Sequence, residues 1–113
     1  MIKVYHNARC SKSRECLAFI EETGKDFEVV KYLDSPPTFA ELKSLIIKLG
    51  IRPIDLVRKK EPVWLSKFKG TEMSDDDILL AMVNNPILIE RPIVVNGEKA
   101  VIARPADKIT DII

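Results

Sequence analysis

Cys10 carries the clearest chemical promise in this chain. It stands where the strand-like run Ile2-Lys3-Val4-Tyr5 gives way, through the polar residues His6-Asn7-Ala8-Arg9, to a helical pattern. Unpaired amide N–H groups and the dipole at a helix start favour negative charge. A thiol in that place is expected to have a lowered pKa, and the thiolate is the nucleophilic form. Arg9, Lys12 and Arg14 add positive charge nearby, and Ser13 is spaced to donate its hydroxyl to the sulfur. His6, the single histidine, lies four residues before the thiol. As an imidazolium it would stabilise the thiolate; as a neutral ring it would order the loop. The sequence leaves both roles open.

Several chemistries are excluded by what surrounds Cys10. The second cysteine, Cys16, shares a helical face with Phe19 and Ile20 and reads as core. Their separation along a helix amounts to roughly 9 Å of rise, too far for an easy disulfide. Cys10-Ser11-Lys12-Ser13 is C-x-x-S, so a dithiol enzyme cycling an internal disulfide is not expected. A phosphatase-type loop would need arginine where Cys16 stands. No ligand pair has zinc spacing and no Walker loop is present, so neither a metal nor a bound cofactor is expected.

The elements that must position Cys10 follow from the pattern. Ile2–Tyr5 and 27–32 read as strands around a helix that ends near Gly24, a right-handed βαβ crossover. Ser35-Pro36-Pro37 breaks the chain. Thr38-Phe39-Ala40-Glu41 is a capping box ahead of the stripe Leu42, Leu45, Ile46, Leu49, with Gly50 past its end. Short helical pieces are expected after Pro53 and from Pro62 to Gly70. Ser74 caps another helix, with Asp75, Asp76 and Asp77 at the positive end of its dipole, and Asn84-Asn85-Pro86 stops it. Asn96-Gly97 between two apolar runs predicts a hairpin with both central residues at positive φ. Pro105 opens a last helix with Ile109, Ile112 and Ile113 on one face. The sum is an α/β chain: βαβ, a helical insertion over about 38–84, then ββα. This is the thioredoxin or glutaredoxin topology, a mixed four-stranded sheet in the order 2-1-3-4. It is read as one domain over residues 1–113.

With 113 residues, 46% apolar and 31% charged, the chain is expected to fold around a core. A net charge of +1 gives no global argument for DNA or an acidic membrane, so any anion site must be local. No apolar run suits a membrane span and no secretory signal is visible, so a cytoplasmic protein with reduced thiols is expected.

Four segments together are more specific. Tyr5-His6-Asn7-Ala8-Arg9-Cys10-Ser11-Lys12-Ser13-Arg14 resembles the active-site loop of the glutaredoxin-coupled arsenate reductases. Leu56-Val57-Arg58-Lys59-Lys60-Glu61-Pro62, the run from Asn85 through Arg91-Pro92 to Val95, and Ala103-Arg104-Pro105 are similar to that family's other segments, in its order. The resemblance implies Cys10 as nucleophile and Arg58, Arg91 and Arg104 as the arginines that hold the oxyanion. It also implies a cis bond before Pro92, glutathione as co-substrate, and glutaredoxin as partner. Ala8, Ser11 and Lys12 depart from residues common in characterised members. Two other readings use the same fold: an Spx-type regulator that binds RNA polymerase, which usually carries C-x-x-C, and a glutathione-dependent thiol oxidoreductase with another substrate.

Overall fold

The computed structural model describes residues 2–113. The chain forms two compact units, residues 2–35 with Arg91–Ile113, and Pro36–Glu90.

The first unit is a mixed sheet of β1 (Ile2–Tyr5), β2 (Phe27–Val30), β3 (Ile93–Asn96) and β4 (Lys99–Ile102), in the order β2-β1-β3-β4. β1 runs parallel to β2, with Tyr5 opposite Val30, and antiparallel to β3, with Tyr5 opposite Ile93. β3 and β4 form the hairpin, Ile93 opposite Ile102. This is the thioredoxin-like fold. Helix α1 (Ser11–Thr23) makes the crossover and ends at Gly24, whose φ of 72° lets its N–H turn back to Glu21. Ile2, Val4, Cys16, Ile20, Val94, Ala103 and Ile109 are buried together in one cluster of sheet, α1 and C-terminal residues. Burial of each large aliphatic side chain there contributes roughly 1.5–3 kcal/mol.

Three local expectations are corrected. β2 stops at Val30 rather than Tyr32, because the Lys31 carbonyl accepts from Asp34 and Ser35 N–H and turns the chain; Tyr32 itself is buried. The hairpin turn is shifted by one residue. Asn96 is paired with Lys99, so Gly97 and Glu98 are central, and only Gly97 has positive φ. Asn96 is thereby free of the turn, and its Nδ2 donates to the Ile112 carbonyl at 2.7 Å. The last helix is a 3₁₀ turn, Ala106–Asp111, with Lys108 N–H bonded to Pro105 and Ile112 N–H to Ile109.

The second unit holds α2 (Phe39–Leu49), a 3₁₀ turn at Pro53–Leu56, α3 (Pro62–Lys67), α4 (Asp75–Asn84) and a 3₁₀ turn at Pro86–Leu88. Both capping boxes form: Thr38 with Glu41, and Ser74 with Asp77. α2 packs against α4, and Leu42, Leu45 and Ile46 of the one and Ile78, Leu79 and Met82 of the other are buried. A single antiparallel bridge, Val57 to Ile89, closes the unit. No described helix is long and apolar enough to cross a membrane.

The shifted turn gives a prediction. Gly97 has φ of 61°, and nothing lies within 4 Å of where a Cβ would sit. Replacing it by alanine therefore strains only the backbone, and Gly97→Ala is expected to cost about 1–2 kcal/mol, read as a lower urea midpoint with unchanged m.

Candidate active site

The register of the sheet gathers four chain segments at one end. β1 exits there into residues 6–10, and β2 exits into residues 31–34. β3 enters there from Arg91-Pro92, and β4 exits there into Ala103-Arg104-Pro105. Cys10, His6, Ser13, Arg91, Arg104 and Pro92 therefore all belong to the first unit, with Cys10, Arg91 and Arg104 at the same sheet edge. The Arg91-Pro92 bond is cis, and so is Arg104-Pro105, which nothing in the sequence singled out. The Ala103 N–H donates to the Pro92 carbonyl at 2.9 Å, joining the two proline segments.

Cys10 is the N-cap of α1, in extended conformation at φ −97° and ψ 121°, and its sulfur makes no capping hydrogen bond. Its carbonyl accepts from Arg14 N–H at 3.1 Å, which starts the helix. The loop ahead of it is held at every residue. His6 N–H donates to the Val30 carbonyl at 2.9 Å, and Cys10 N–H to the Asn7 carbonyl at 3.0 Å. Asn7 Oδ1 accepts from Arg9 N–H at 3.0 Å. The Ser13 hydroxyl oxygen, expected to serve the sulfur, accepts a long hydrogen bond from Asn7 N–H at 3.4 Å. Arg14 reaches back from the helix, its Nη1 donating to the Ala8 carbonyl at 2.9 Å. Asn7 and Arg14 are thus loop-holding residues that the reading of charge alone missed. The Asn-x-x-Cys spacing, which suits a side-chain-capped turn, was the signal for Asn7.

His6 is buried, only 6% exposed. Its pKa lies below the usual 6.5, chiefly because burial penalises the charged ring. Lys31 and then Arg14 push the same way, and a hydrogen bond with the Ser13 backbone opposes them. Of the two roles open to it, the neutral ring is the one this setting favours. Nδ1 is buried and has no hydrogen-bond partner among the described residues. His6, Asn7, Ala8 and Arg9 line a cleft of about 390 Å³ with Lys31, Leu33 and Asp34.

Arg91 carries its Nε and Nη1 out of solvent, whereas Arg104 is half-buried. Arg58 belongs to the second unit. Its N–H donates to the Leu88 carbonyl at 2.7 Å and its guanidinium is ion-paired with Glu61. Cys16 is fully buried, and burial pushes its thiol up to about 11. No cluster of metal-ligating side chains occurs among the described residues.

Comparison with known proteins gives concordant results. A model described as the ArsC family matches residues 5–112. A relative from Neisseria meningitidis serogroup B, named arsenate reductase, is 44% identical over 110 residues, covering 96% of this chain and 94% of its own. A protein of Escherichia coli (strain K12) named "Uncharacterized protein YfgD" is 42% identical, covering 99% and 96%. The solved structure of an arsenate reductase from Vibrio cholerae superposes with a TM-score of 0.94 at 39% identity, covering 99% of this chain and 97% of that one.

Two outcomes are expected. Both thiols are buried, but Cys10 is 8% exposed and Cys16 not at all, so iodoacetamide applied to the native protein is expected to label Cys10 well before Cys16, a difference that denaturant removes, as read by peptide mass. The second concerns acid. Well above pH 6.5 His6 is neutral whether folded or unfolded. As pH falls below that value the unfolded chain takes up the proton first, so stability declines until the folded-state pKa is passed. Urea midpoints measured from pH 7.5 downward should fall, and His6→Asn should flatten that decline.

Proposed function

Because this chain belongs to the ArsC family, we propose that it is an arsenate reductase, with glutathione as reductant and glutaredoxin as the protein that resets it. The observation that carries the reading is the meeting of the Cys10 loop with Arg91 and Arg104 at one end of the sheet. Relatives that cover nearly the whole chain and are named arsenate reductase support it.

Arsenate near neutral pH is a multiply charged tetrahedral anion. Planar guanidinium forks on Arg91 and Arg104 bind its oxygens in pairs. Cys10 caps the start of α1, where unpaired N–H groups can face an incoming anion. The Cys10 sulfur attacks arsenic, an S–As bond forms, and an oxygen leaves as water after protonation. Glutathione thiolate then attacks the Cys10 sulfur. The new S–S bond forms as the S–As bond breaks, and its electron pair stays on arsenic, which leaves as arsenite reduced by two electrons. A glutaredoxin thiolate attacks the glutathione sulfur of the mixed disulfide and releases the Cys10 thiolate. The external thiols are needed because Cys16 is buried. Arg58 is included as an oxyanion ligand on the sequence resemblance alone. Cytoplasmic residence fits the same chemistry, since it requires a reduced thiol pool.

The test is arsenate-dependent NADPH consumption in the presence of glutathione, glutaredoxin and glutathione reductase. Turnover is expected, and Cys10→Ser abolishes it. Arg104→Ala should lower kcat/KM for arsenate about a hundredfold. Absence of turnover, or turnover that survives Cys10→Ser, refutes the proposal.

A further inference from the structure

Arg58 stands at the end of a short paired stretch in the second unit. Val57 bridges to Ile89, the Arg58 N–H donates to the Leu88 carbonyl at 2.7 Å, and the Glu90 N–H donates to the Leu56 carbonyl at 2.9 Å. The Arg58 carbonyl accepts from the Glu61 N–H at 3.1 Å, which closes a turn over residues 58–61. The backbone thus sets Arg58 and Glu61 side by side. Lys59 and Lys60, between them, are exposed.

The side chains close the same turn. Arg58 Nη1 meets Glu61 Oε1, and the two side chains are only 23% and 20% exposed. The ion pairs Lys12–Glu15 and Arg52–Asp75 are by contrast at least half exposed. Water and salt screen pairs of that kind to little effect, whereas a pair withdrawn from solvent keeps its geometry. Glu61 also leaves another use of its carboxylate aside. It is the N-cap of α3, yet its side chain makes no capping hydrogen bond. The carboxylate serves the arginine rather than the helix. A guanidinium has five N–H donors in one rigid plane. An oxygen held against Nη1 fixes the direction of that plane and leaves other donors for a second anion.

We propose that Glu61 is a positioning residue, which holds the Arg58 guanidinium in a fixed direction ready for an oxyanion. The inference rests on the proposed arsenate reduction for the role of Arg58, but its binding readout needs no turnover. An arginine free to swing must be ordered by the anion itself, and affinity falls by that cost. The Glu61 carboxylate also repels an anion, so its hold and its charge act in opposite directions. Two substitutions separate them. Glu61→Gln and Glu61→Ala both remove the charge, and only glutamine keeps an oxygen within reach of Nη1.

The probe is sulfate, an unreactive tetrahedral dianion, titrated into the whole protein and followed by NMR through the Arg58 Nε–H signal. A saturable shift is expected. Glu61→Gln should bind sulfate about fivefold more tightly than Glu61→Ala. With Arg58→Ala added to each, and binding followed through backbone amides, the two should bind alike. In the NADPH-coupled assay the two single variants should differ in KM for arsenate and agree in kcat. No shift at Arg58, equal affinities of the two single variants, or a difference that persists without Arg58 would overturn the assignment. Turnover with equal affinities sinks the positioning role alone, whereas a Glu61-dependent affinity without turnover sinks the reductase reading alone.

Discussion

The turn between β1 and α1 is the constraint on which this end of the molecule depends. Cysteine is a poor helix cap, because it lacks the oxygen by which Ser, Thr, Asp or Asn satisfies the first-turn amides. α2 and α4 use such caps, Thr38 and Ser74, and both carry acids in the first turn; α1 has neither. Its start is instead secured from outside the helix axis. Asn7 closes the turn on Cys10, Ser13 receives Asn7, and Arg14 clamps Ala8. The stabilisation that a cap would have provided is moved into the loop, and the first-turn amides stay open to an anion.

Positive charge at this edge rests on arginine and lysine rather than histidine. His6 lies between burial and two cations, Lys31 and Arg14, and all three disfavour its protonation. Arginine remains charged at any pH the fold survives. The electrostatic character of the edge is thus insensitive to the range in which an exposed histidine would switch. The His6 backbone N–H, bonded to the Val30 carbonyl, joins the loop to β2, while burial holds the ring toward its neutral form.

The elements were legible where a local signal is strong. Thr38 to Glu41 and Ser74 to Asp77 have capping spacing, and both boxes form. The alternating apolar runs give four strands in the order read from the βαβ and ββα pattern. The misses lie where tertiary contacts decide. Asn-Gly signals a hairpin, but Asn96 keeps its place in the ladder and spends its side chain on Ile112, so the turn moves one residue on. The alternation through Tyr32 looks like strand, yet the Lys31 carbonyl is taken by a turn. At the site, the position of Cys10 at a helix start was readable from the break in pattern. The inward bond of Arg14 was not, because a basic residue near a thiol looks the same whether it faces solvent or backbone. The cleft was likewise invisible, since it needs two strand exits brought side by side.

Cys16 sits one and two-thirds turns below Cys10 on α1, sealed among Ile2, Val4, Ile20 and Val94. It is the only other sulfhydryl in the 113 residues. An oxidised Cys10 therefore has no internal refuge: the fold holds no second sulfur able to take over the bond. Whatever state the first sulfur reaches persists until a molecule from outside collides with it. Any redox cycle run on this scaffold would consequently have to be completed by a sulfur that the chain does not itself supply.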